Sequence, residues 1–154
     1  MLLVWFIWAT GKDLDALVRF SVSTDYYIFA AAGVPWLFFV TAIAVFLLNT
    51  ATVYYLFRPQ PIGLWVLMNA LIAGVVQNVV TISLALPNMV SVREAYARSR
   101  ELRGLSVREE ALDMIFTPNA MAVSLALMLG LYALISFVAY RQRQYFRGAK
   151  DVAV

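Results

Sequence analysis

The chain has no cysteine and no histidine among its 154 residues. Their absence removes disulfides, Cys/His zinc sites and thiol catalysis. It also removes His-ligated haem and imidazole acid–base work. No G-x-S-x-G, P-loop or G-x-G-x-x-G motif occurs, so neither catalysis nor a bound cofactor is expected. Charge is scarce as well. Only 14% of residues are charged and 63% are hydrophobic, whereas soluble domains carry about 25% and about 45–50%. The few charges cluster, with none between Asp25 and Arg58, between Arg58 and Arg93, or between Asp113 and Arg141. Uncharged runs of that length match membrane-spanning helices, which need roughly 20 apolar residues each.

What is present fits a lipid environment. The net charge of +3 resides in the C-terminal tail, which suits a membrane surface. No basic stripe with interleaved stacking aromatics points to nucleic acid. Arginine dominates the basic residues, in keeping with a GC-rich bacterial genome. The expected fold is an all-α membrane protein forming a single domain over 1–154. It has three transmembrane helices, a short interfacial N-terminal helix, and an extramembrane helical hairpin between the second and third spans.

The N-terminal segment, 1–22, begins with an apolar piece that ends at Ala9, too short to cross a bilayer. Carrying a span on through Lys12, Asp13 and Asp15 costs about 2.5–3.5 kcal/mol for each central charge. Thr10 and Asp13 instead form a T-x-x-D start for a short helix over 11–20, with Trp5 and Trp8 at headgroup level. The first span is expected over 28–56, with Pro35 as a kink. Pro59 and Pro61 punctuate a tight connection to the second span, 62–86. The stretch 88–117 contains two capping-box patterns, Ser91-x-x-Glu94 and Ser106-x-x-Glu109, and Gly104 at a C-cap position. These predict helices over 92–103 and 107–116, with Glu94 and Arg98 as an i,i+4 pair. Thr117-Pro118 then opens the third span, 118–140, and a basic tail follows over 141–154. Three spans place the termini on opposite faces. The tail-side charges hug the membrane while those of the hairpin are matched by acids, so the C-terminus is expected inside, in a bacterial cytoplasmic membrane.

The most informative apolar stretch is "GVVQNVVT" (74–81), with two adjacent amides. On a helix, Asn69, Ala73, Gln77 and Thr81 follow one i,i+4 row, and Ala70, Gly74 and Asn78 follow the next. This polar, small-residue face is interrupted by Val80 and Leu84. It needs partners, because an unpaired amide in hydrocarbon costs several kcal/mol. The third span offers Asn119 and the small row Ala122, Ala126 and Gly130; the first offers Asn49 and Thr52. Such a face serves helix packing first and a solute path second.

Three functions follow. The first is a non-catalytic accessory subunit that packs through these faces against other membrane proteins. Its hairpin residues Arg93, Arg98, Arg103, Glu109 and Asp113 would dock the partner. The alternative is a homo-oligomeric channel or facilitator lined by Asn69, Gln77, Asn78 and Thr81. A lipid-acting enzyme ranks last, for want of a nucleophile–base pair. The three spans contain no central ionisable residue, which argues against proton or ion coupling.

Overall fold

The computed structural model describes residues 2–147; Met1 and 148–154, with Lys150 and Asp151 of the basic tail, lie outside the described residues. Among the described residues all regular structure is helical. The elements are α1 (Leu2–Val18), α2 (Thr24–Ala31), α3 (Pro35–Phe57), α4 (Pro61–Ala85), α5 (Met89–Leu102), α6 (Glu109–Ile115) and α7 (Pro118–Arg141). Short 3₁₀ turns cover Phe20–Val22, Leu86–Asn88 and Arg143–Arg147. Three helices are long and apolar enough to cross a membrane: α3, the α4 stretch and α7.

The N-terminal segment departs from expectation. It is one helix from Leu2, not a helix starting at Thr10. The Thr10 hydroxyl donates to the Phe6 carbonyl at 2.7 Å, the back-bond of a mid-helix threonine. A T-x-x-D pattern caps only where the preceding backbone is non-helical, and residues 2–9 are already helical. The row Leu2–Phe6–Asp13 is buried, while Val4, Ile7, Leu14 and Val18 face outward. Both rows follow the helical repeat.

The first expected span divides in two. Gly33 adopts φ +76°, a left-handed turn that glycine takes without steric cost. Pro35 then sits at the start of α3, so it initiates that helix and kinks nothing. Ile28–Ala31 belongs to α2. The second and third spans keep their expected bounds to within one residue. Thr117 accepts a hydrogen bond from the Ala120 amide at 3.2 Å, capping α7.

Both capping-box starts are corrected. The chain runs on without a loop from Pro61 to Leu102, because Pro87 is absorbed in a single 3₁₀ turn. Ser91 is therefore inside α5. The N-cap of α6 is Arg108, not Ser106. Gly104 has φ +69°, and the Gly104 and Leu105 amides bond to the Glu101 and Arg100 carbonyls, the paired closure of a Schellman cap. Glu94 and Arg98 form no ion pair; Arg93 instead bridges α5 to α6 through Glu109 and through Asp113 at 2.8 Å.

Two packed clusters fix how the helices run. One joins Leu2 and Phe6 of α1 to Leu56 of α3, Leu67 of α4, Ile135 and Ala139 of α7, and Phe146. The other joins Phe29, Phe38 and Ala42 to Ala16 and Leu17 of α1 and Leu84 of α4. A smaller one at that second end holds Ile28, Ala85 and Val92 with Met121. Hence α1 is antiparallel to α3, α3 to α4, and α4 to α7. Between lipid-bathed helices such contacts stabilise by close packing rather than by exclusion of water. Leu2 and Phe146 share one cluster, so the two described ends of the chain lie at the same end of the molecule. The three-span expectation puts the termini on opposite faces, whereas the described ends lie together. The order of neighbours is α1–α3–α4–α7, and α1 makes no extended contact with α7. The four helices form an open arc.

Candidate functional site

The concave side of the arc encloses a cavity of about 270 Å³. Each long helix contributes a side chain from near its middle: Asp13 from α1, Asn49 from α3, Gln77 and Asn78 from α4, Tyr132 from α7. Lys12 lies at the rim, and Trp5, Phe6, Leu71 and Leu131 supply apolar wall.

The central contact is a hydrogen bond from Asn49 Nδ2 to Asp13 Oδ2, 2.7 Å long. Both residues are buried, at 6% and 8% exposure. A carboxylate accepts only, so the amide orientation follows from the partner. Asn78 Nδ2 donates to the Gly74 carbonyl at 2.8 Å, and the Asn78 side chain also lies within hydrogen-bonding reach of Tyr132. Gly74 is required by the close approach of α7, because a Cβ there would lie 2.6 Å from the Tyr132 hydroxyl.

The expected site residues separate into groups. Asn49, Gln77, Asn78 and Gly74 come together around the cavity. Asn69 does not, since it is exposed and its Nδ2 donates to the Trp65 carbonyl of its own helix. Thr81 lies outside the cavity lining, and Ala73 is half-buried beyond it. Asn119 is exposed at the start of α7. The row Ala122, Ala126 and Gly130 is also exposed, and a Cβ at Gly130 would meet nothing within 4 Å. α4 packs against the other side of α7, along Ile135 and Ala139, where bulkier side chains fill the groove.

The hairpin residues engage their own chain. Arg93 ties α5 to α6. Arg103 Nη2 and Ser99 Oγ both donate to the Val22 carbonyl, at 2.8 and 2.5 Å, which fastens α5 to the 3₁₀ turn before α2. Arg98 is exposed beside Ala30 and Ala31 of α2. Glu109 and Asp113 are the exposed partners of Arg93.

Sequence reasoning missed Asp13, Lys12 and Tyr132. The signal for Asp13 was its place on the inward row of α1, four and seven residues along from positions Ala9 and Phe6. A cost for charge in lipid does not apply to a side chain that faces other helices. No central ionisable residue occurs in α3, α4 or α7, but α1 brings one to their midst.

No family model, curated protein or solved structure matches this chain, so its functional reading rests on its own geometry.

Proposed function

We propose that α1 is inserted beside α3 as a fourth membrane helix, and that the cleft between α1 and α7 binds a small solute within the bilayer. The protein then acts as a membrane facilitator or carrier for that solute. This replaces the interfacial placement of the N-terminal helix. α1 has 17 residues, about 25 Å at 1.5 Å per residue, and its outward face is apolar. Its charged groups face the cleft or one end. The observation that carries the reading is the buried Asp13–Asn49 bond in a cavity lined by Gln77, Asn78 and Tyr132. Ionisable groups at membrane depth face cavities and partners and mark solute or ion paths.

Orientation follows from charge. The end where the described residues begin and finish carries Arg58, Arg141 and Arg143 with no acid among the described residues. We place that end inside a bacterial cytoplasmic membrane. Reconstitution into liposomes tests the function. Gln77→Leu should change the flux of small solutes such as glycerol, urea or methylammonium and leave assembly intact. Unchanged flux for all three would count against the reading.

The exposed row Ala122, Ala126 and Gly130 favours a second reading, in which α7 packs against other membrane subunits or another copy. The chain would then be a non-catalytic accessory subunit, and the row the contact surface. Native mass spectrometry after gentle extraction tests this: stoichiometric foreign subunits support it, and a monomer alone contradicts it.

A further inference from the structure

We propose that the cleft selects a small organic cation, an amine in its ammonium form with an apolar body, and that Asp13 is its counter-ion. This rests on the intramembrane cleft just proposed and names the class of solute it takes.

The lining sets a carboxylate among amides and aromatic rings. The Asn49 amide directs an N–H to Asp13, and the Asn78 amide directs one to Gly74. The Asn49 side-chain oxygen and the second carboxylate oxygen of Asp13 remain as acceptors among the described residues. Acceptors of that kind recognise donors and positive charge.

Asp13 has no ion-pair partner among the described residues. Lys12 and Asp25 are the charged groups close enough to act on it. Lys12 cannot close onto Asp13, because adjacent helix residues do not face each other, and no ion pair joins them among the described residues. A carboxylate at this depth without a full partner is costly, and one bound monovalent cation offsets that cost.

The rest of the wall decides the kind of cation. A hard metal ion takes oxygen ligands on most sides. Here the side-chain oxygens share the wall with Trp5, Leu131 and the Tyr132 ring. That mixture suits an ammonium head on the carboxylate with an aromatic or aliphatic body against the rings.

The test uses the full chain in lipid nanodiscs, with Trp5 and Trp8 in the cleft wall as fluorescent reporters. The probes are benzylamine and its neutral counterpart, benzyl alcohol. The expected result is saturable binding of benzylamine, with benzyl alcohol at least about tenfold weaker. Asp13→Asn should abolish that preference. Equal binding of the two probes to the wild-type protein would overturn the cation assignment and leave the cleft standing. Absence of saturable binding by either probe would overturn both. The comparison in the wild-type protein holds even where Asp13→Asn fails to fold.

Discussion

Asn49 and Asn69 are the same residue type in neighbouring helices, with opposite surroundings. Asn49 donates to a buried carboxylate; Asn69 folds onto its own helix at an exposed position. A hydrogen bond to a charged group is worth about 1.5–3 kcal/mol, so Asn49→Leu should destabilise the protein by that amount. Asn69→Leu should change stability by less than about 0.5 kcal/mol. Denaturant titration of both variants in mixed micelles checks the difference, and equal losses would contradict it. The glycines separate in the same way. At Gly63 a new Cβ would lie 2.9 Å from Tyr55 Cβ and from the Phe146 ring. Gly63→Ala should therefore cost about 1–3 kcal/mol through forced displacement. Gly130→Ala meets open space and should be neutral or slightly stabilising, since alanine is the better helix former.

Among the elements, the three long helices were legible in the sequence because length and the lack of charge are properties of a whole segment. Their ends were legible where chemistry forced them, as at Thr117-Pro118 and Pro61. Capping patterns read less well. Ser91 and Ser106 have the right neighbours, but the backbone around Ser91 never leaves the helix, and the N-cap of α6 lies two residues after Ser106, at Arg108. The amide pair Gln77–Asn78 was recognised as needing company, and Asn49 was named, but the cavity neighbours Asp13 of α1 and Tyr132 of α7 were not. A pairing between helices depends on which faces meet, and periodicity alone leaves that open. The extramembrane helices carry their own prediction. The Arg93 bridges involve partners 68% and 69% exposed, so each contributes only about 0.2–1 kcal/mol. Arg93→Ala should barely change global stability and should accelerate amide exchange in α6, an effect that shrinks in high salt. A large global loss would mean that α6 is bound more tightly than its contacts indicate.

At the scale of the molecule, one helix decides the topology and the chemistry together. With α1 beside α3 as a membrane helix, the described ends Leu2 and Phe146 share a face, a carboxylate reaches the middle of the bundle, and an open cleft faces α7. With α1 lying on the surface, the same sequence has three spans and no ionisable interior. The price of a charge in lipid made the second picture the natural expectation. The side-chain rows of α1 favour the first as a proposal, because the apolar row faces out and Asp13 faces in. The absence of cysteine makes the choice open to direct measurement, since any introduced thiol is a background-free reporter. Gly11 lies on the outward face of α1, with room for a side chain. The measurement is labelling of Gly11→Cys in intact vesicles with a membrane-impermeant maleimide, with Gln60→Cys and Gln144→Cys marking one face and Glu110→Cys the other. An inserted α1 predicts that Gly11→Cys is protected from both sides and reacts only after the bilayer is dissolved. Ready labelling of Gly11→Cys from the Glu110 side would contradict insertion and return α1 to the membrane surface.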